Sequence, residues 1–196
     1  FPEGGGIILI SGTGMICLGR DRQGKEHRCG GWGWMLDGAG SAFDLGHQGL
    51  QLTLQMADGR RPDHPLRQRM WEQLGCRCHS DVKAWVVQPS RTAADLAALA
   101  PLLVAAADAG LPAAQDILQK SAAALVRCAA TVARELALPQ PMVAGLGGVL
   151  QHPGSLQRAV EVGIVAEVPG ARWAPAASDA CRGALTMARE LVLRPR

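Results

Sequence analysis

Apolar positions fall into three regimes along the chain. Over residues 7–29 they come in short runs suited to strands: Ile7 to Ile10, then Met15 to Leu18, then a third short run ending at Cys29. The polar stretches between them, SGTG at 11–14 and RDRQG at 20–24, have the composition of tight turns, so the segment is expected to form a β-meander. A glycine-rich connector over 30–40 leads to Ser41, placed to cap a helix through Leu45, Leu50, Leu52 and Leu54 that stops at Asp58 and Gly59. Residues 60–138 carry helical spacing throughout. Pro65 is expected in the first turn of a helix ending near Gly75, Ser80 and Thr92 are expected caps, and Gly110 ends a helix. Pro112 then starts a long helix bearing Ile117, Leu118, Ala122, Leu125, Val126, Ala129 and Val132 on one face. From 139 the order becomes a strand at 141–144, a glycine turn at 145–148, a helix over 155–166, a short strand at 171–174 and a last helix from Ser178 to Leu193. That alternation predicts an α/β fold with a mostly parallel sheet in this part.

At 196 residues and 48% apolar content, the chain has enough material to bury a core. The net charge of +3 is mild, the basic residues are scattered, and aromatic residues make up 4% with no tyrosine. Neither a phosphate-tracking groove nor a base-stacking platform is visible, so no nucleic-acid partner is expected. The apolar run at 96–107 is interrupted by Pro101 and is shorter than the roughly 20 residues that span a bilayer, so no membrane association is expected either. Cys17, Cys29, Cys76, Cys78, Cys128 and Cys181 lie mostly within apolar segments, which suits reduced thiols in a cytoplasmic protein.

Two glycine turns follow two strands, SGTG at 11–14 and GLGG at 145–148. In open α/β sheets, ligands settle outside the carboxyl ends of strands, where glycine lets main-chain N–H groups approach a phosphate or a flat base. The pair suggests a nucleotide, although neither turn is a Walker A loop or a G-x-G-x-x-G fingerprint. Trp32 and Trp34 fit two descriptions, buried anchors of a glycine loop or flat faces for a ligand. The CRCH run at 76–79 lacks a fourth ligand and the C-x-x-C spacing of a zinc knuckle, so no metal site is expected. His27, His47, His64 and His152 fall where solvated side chains are expected.

The run GIILISGTGMICLGRDRQGKEHRCGGWGWMLDGAGSAFDLGHQGL resembles the BadF/BadG/BcrA/BcrD ATPase family, and within it the N-acetylglucosamine and glucosamine kinases of the sugar kinase, hsp70 and actin superfamily. VAGLGGVL resembles the family's adenosine turn and GALTMARELV its last helix, so the resemblance covers essentially the whole chain. It implies a ribonuclease-H-like (actin-like ATPase) lobe with a mixed sheet and a helical segment at about 60–138. This would be the carboxyl-terminal lobe over residues 1–196, its amino-terminal partner lobe and its catalytic Asp lying upstream of Phe1. The implied ligands are ATP with Mg²⁺ and a small sugar, and a second copy is an implied dimer partner. On matching positions, Gly12, Thr13 and Gly14 would hold the β- and γ-phosphates. Gly147 and Gly148 would flank the adenosine, with Gly183 and Ala184 closing the adenine slot. Cys29, Gly31, Trp32 and Gly33 would form the sugar wall.

The chain departs from the family where the latter reads Gly-Asp-Glu-Gly-Ser. Here the residues are Asp37-Gly38-Ala39-Gly40-Ser41, so the family's Asp falls on Gly38 and its Glu on Ala39. Asp37 is one residue early, and in an extended loop that would turn its side chain to the other side; it stands as the one candidate catalytic carboxylate and sugar contact. Met15 and Ile16 occupy positions where the family often has Ser and Asn. Three functions follow from the resemblance: an amino-sugar kinase phosphorylating C6, an ATPase of the 2-hydroxyacyl-CoA dehydratase activator type, and a member that binds nucleotide or sugar without turnover.

Overall fold

The computed structural model describes residues 5–176 and 180–193. Five strands form a single mixed sheet: β1 (Gly6–Ser11), β2 (Met15–Arg20), β3 (Glu26–Cys29), β4 (Met142–Leu146) and β5 (Arg172–Trp173), in the spatial order β3-β2-β1-β4-β5. The meander pairs antiparallel, with Ser11 opposite Met15 and Cys17 opposite Cys29, whereas β4 lies parallel to β1 and β5 parallel to β4. The expected mixed sheet is therefore present.

Nine helices accompany the sheet in the described residues: α1 (Ala42–Ala57), α2 (Pro65–Gln73), α3 (His79–Val86), α4 (Ala93–Ala97), α5 (Ala100–Asp108), α6 (Pro112–Glu135), α7 (Gly148–Gln151), α8 (Ser155–Glu167) and α9 (Ala180–Leu193). Between α1 and β4 the regular elements are all helical, as the apolar spacing predicts. The start expected for the last helix at Ser178 lies outside the described residues.

The long α6 organises the packing. One side lies on β1, β2 and β3, and the others meet α1, α5 and α8. Strand periodicity sets which residues face it: Ile7 and Leu9 are fully buried, while Ile10 between Leu9 and Ser11 is partly open on the other face. On α6, Leu118, Leu125, Val126, Ala129 and Val132 make the buried stripe, each large side chain removed from water stabilising by about 1.5–3 kcal/mol. Among the described residues no single helix is long and apolar enough to cross a membrane.

Helix starts show where local signals succeed and fail. The Ser41 hydroxyl accepts the Asp44 N–H at 3.2 Å and caps α1. Thr92 caps α4, with the Asp95 carboxylate accepting from its N–H at 2.7 Å. Ser80, however, lies inside α3. That helix begins after Cys78, because the Asp81 carboxylate accepts the N–H groups of Arg77 at 2.8 Å and Cys78 at 3.2 Å; these bonds hold its pKa below the usual range. His64 is not simply solvated, since its Nδ1 accepts the Leu66 N–H at 3.1 Å and caps α2 ahead of Pro65.

Candidate functional site

The parallel pairing of β1 and β4 brings the two glycine turns together at one end of the sheet. The hairpin turn after β1 is closed by the Gly12 N–H donating to the Gly14 carbonyl at 2.9 Å. Behind it, the amino terminus of α1 is committed to the turn: Ala42 N–H donates to the Gly12 carbonyl at 2.8 Å and Phe43 N–H to that of Thr13 at 3.3 Å. The Ser11 hydroxyl, fully buried, donates to the Gly40 carbonyl at 2.7 Å. The turn is thus fixed on its inner side, while Thr13 and Gly14 are exposed and a Cβ built on Gly12 or Gly14 would meet no atom within 4 Å. Packing among the described residues does not require glycine at either position.

Gly147 answers to a different constraint. Its φ is +83°, a conformation that side-chain-bearing residues adopt at a cost, and a Cβ there would run into the main chain of Ser11 and Gly12. The second glycine turn therefore seats directly on the first. The sequence expectation of a strand ending at Ala144 needs correction here. β4 runs on to Leu146, and Gly145 is a strand residue whose missing side chain makes room for the Trp173 indole of β5.

A cavity flanks each side of this glycine pair. The larger, of about 590 Å³, is lined by Gly145, Leu150, Gln151, Gln157, Trp173 and the chain that follows β5. It combines a flat indole with two amide side chains, a lining that suits an aromatic base with a polar edge. Trp173, Gln151 and Gln157 were not singled out from the sequence; the glycine inside β4 was the one available signal. Gly183 and Ala184 stand in α9, outside the lining of either cavity.

The smaller cavity, of about 290 Å³, is lined by Gly14 of the hairpin, Met15, Ile16, Gly31, Gly33, Trp34 and Asp37. Asp37 faces it because residues 33–37 form a turn rather than an extended loop, with the N–H groups of Leu36 and Asp37 both donating to the Gly33 carbonyl, at 3.0 and 2.8 Å. The alternation expected for extended chain does not operate there. Arg28 braces the start of the loop. Its Nε donates to the Gly30 carbonyl at 3.2 Å and its Nη2 to that of Gly31 at 3.3 Å, and its guanidinium lies 4.7 Å from the centre of the Trp32 ring.

Neither tryptophan is a buried anchor: Trp32 is 68% and Trp34 48% exposed. Trp34 lies against Phe43 at 4.8 Å between ring centres, and Phe43 stacks on His47, so that histidine too has a packed partner. Cys29 and Trp32 do not line the cavity. The Cys29 thiol instead meets that of Cys128 on α6, across from the buried Cys17. Burial, reinforced by Cys29, pushes the Cys128 thiol up to about 12 and burial raises that of Cys17 further. Every cysteine is a free thiol. Cys78 caps α3, and among the described residues no three His, Cys, Asp or Glu side chains are grouped to hold a metal ion.

The model of the BadF/BadG/BcrA/BcrD ATPase family matches residues 2–188. The chain is 27% identical over 186 residues to an N-acetylmuramic acid/N-acetylglucosamine kinase of Clostridium acetobutylicum, and 30% identical over 188 residues to an N-acetyl-D-glucosamine kinase of Dictyostelium discoideum. These alignments take in 94% and 93% of this chain but only 61% and 59% of the relatives. Among solved structures, a proposed N-acetylglucosamine kinase from Chromobacterium violaceum superposes with a TM-score of 0.75 at 29% identity, over 93% of this chain and 59% of that one. A similarly described protein from Porphyromonas gingivalis, at 19% identity and a TM-score of 0.67 over 89% of this chain and 58% of that one, shares the fold.

Proposed function

Because the chain belongs to the BadF/BadG/BcrA/BcrD ATPase family, we propose that it is one lobe of an ATP-dependent kinase that phosphorylates a hydroxyl of an amino sugar of the glucosamine or N-acetylglucosamine type. One observation carries the reading: the paired glycine turns sit between a cavity of about 590 Å³ walled by an indole and two amides and one of about 290 Å³ that begins at Gly14. Transfer of a γ-phosphate needs that order, with the base at one end, the phosphates at the turns and the acceptor beyond them. In this reading Gly12, Thr13 and Gly14 hold the β- and γ-phosphates. The open space over both glycines lets a phosphate oxygen come close to the outer side of the turn, where the Thr13 hydroxyl is exposed as a donor, while the Gly12 N–H stays committed to the Gly14 carbonyl. Gly147 and Gly148 pass beneath the nucleoside, whose base lies against Trp173. Gly31, Gly33 and Asp37 border the sugar, with Cys29 and Trp32 supporting the loop from behind.

Mg²⁺ would neutralise charge on the transferring phosphate. Without a ligand cluster among the described residues, it is held in this reading by the phosphates themselves. The carboxylate that takes the acceptor proton belongs to the partner lobe. ATP use and six free thiols fit a cytoplasmic setting.

A second reading, a member that binds without turnover, is favoured by Gly38 and Ala39 standing where the family has Asp and Glu. Incubating the full-length protein with γ-labelled ATP and glucosamine, N-acetylglucosamine or water separates the two. Labelled phosphosugar is expected. Free phosphate alone, or no transfer across a broad sugar panel, refutes the kinase reading.

A further inference from the structure

Asp37 is the only charged side chain lining the smaller cavity among the described residues; Met15, Ile16 and Trp34 supply its other side-chain surface. The half-buried side chain makes no hydrogen bond and no ion pair with any described residue, its main-chain N–H is fixed by the Gly33 carbonyl, and the titratable group that faces it from another element is the Cys128 thiol of α6, which its charge helps to push up. Arg28, the cation nearest along the loop, is spent on the carbonyls of Gly30 and Gly31 and on the Trp32 ring. An unneutralised, acceptor-only group in a cavity with apolar walls is matched by a cationic donor.

We propose that this cavity selects an amino sugar with its amine free and protonated over the N-acetylated form, and that Asp37 makes the choice. The inference rests on the sugar-kinase reading above and adds the acceptor's chemical class to it. An ammonium offers Asp37 a positive charge and three N–H donors. Acetylation removes the charge, leaves one donor, and adds a carbonyl oxygen that a carboxylate can only repel. It also adds bulk. Elsewhere in the lining Ile16 packs closely on Gly31, where an added Cβ would sit 2.9 Å from the isoleucine side chain, so these two residues cannot draw together to make room. The two sequence relatives carry names for N-acetylated sugars, so the prediction separates this chain from them.

The test compares kcat/KM for glucosamine and N-acetylglucosamine in the full-length protein at about pH 6.5, where an amine is protonated. The wild type is expected to favour glucosamine by about tenfold, the scale of one hydrogen-bonded charge pair. Asp37→Asn is expected to shrink the preference to within about twofold, and raising the pH to about 9 to shrink it in the wild type as the amine loses its proton. Each readout is a ratio within one preparation, so a partly folded variant still reports, and the pH arm needs no variant. A preference for the acetylated sugar, or a ratio unmoved by both Asp37→Asn and pH while phosphosugar is made, overturns the inference and leaves the kinase reading intact. No phosphosugar from any sugar overturns the kinase reading and the inference with it.

Discussion

Gly147 and Gly148 are adjacent and chemically identical, yet the structure predicts opposite consequences for replacing them with alanine. At Gly147 φ is +83° and ψ 160°, a combination essentially restricted to glycine that costs a side-chain-bearing residue about 1–3 kcal/mol. The new methyl would also overlap the Ser11 carbonyl and lie 2.9 Å from the Gly12 nitrogen, so the two turns must separate. Forced shifts of this kind cost about 1–3 kcal/mol. Together they amount to roughly 2–6 kcal/mol, or a fall in Tm of roughly 4–24 °C for a chain of this size. At Gly148, the first residue of α7, φ is not left-handed and no atom lies within 4 Å of the added methyl. Alanine there reduces the freedom of the unfolded chain, so stability is expected to hold or rise by up to about 1 kcal/mol. If the space over this turn belongs to the nucleotide, Gly148→Ala nevertheless weakens ATP binding, by about tenfold or more. Thermal denaturation and ATP titration calorimetry on both variants measure the two effects separately. Equal stabilities for the two variants would refute the steric argument. Undiminished ATP affinity in Gly148→Ala would refute the assignment of this turn to the nucleotide.

Three further outcomes follow from particular contacts. Arg28→Ala removes two hydrogen bonds and a ring contact that hold the loop at Gly30 and Gly31, and under the proposed kinase function steady-state kinetics should show KM for the sugar rising about two- to tenfold while KM for ATP holds. The Ser121 hydroxyl is buried in α6 without a hydrogen-bond partner among the described residues, so Ser121→Ala should gain about 1 kcal/mol in urea denaturation, and a loss would refute the reading of this hydroxyl as unpaired. Cys128 titrates in the fold at about 12 against 9.0 ordinarily. A raised thiol pKa stabilises the fold fully below the ordinary value, and that stability is lost as pH climbs from about 9 towards 12; Cys128→Ala should flatten the decline measured by denaturant unfolding.

What sequence reasoning reached and what it missed divide along physical lines. The meander, the Ser41 and Thr92 caps and the stripe on α6 are set by residues within a few positions of one another, and each was readable from local spacing. Failures begin where two local signals compete. Ser80 has the composition of a cap, but Asp81 one residue later captures the Arg77 and Cys78 N–H groups and starts α3 earlier. Asp37 was expected to point away from the site because glycine-rich loops read as extended, whereas two N–H groups converging on the Gly33 carbonyl coil the segment and turn the carboxylate into the cavity. Contacts across long separations left only indirect traces. Gly145 reads locally as the first residue of a turn, but it continues β4, and the space its missing side chain leaves is filled by Trp173. Gly147 needs no side chain because Ser11 and Gly12 lie against it, more than a hundred residues earlier in the chain. The family resemblance implies a common ligand for the two turns, and the parallel pairing of β1 with β4 is what lays them side by side. On the proposed nucleotide reading, substitutions that disturb this pairing at Val143 or Ala144 should therefore lower ATP affinity in titration calorimetry, although neither residue lines either cavity described above.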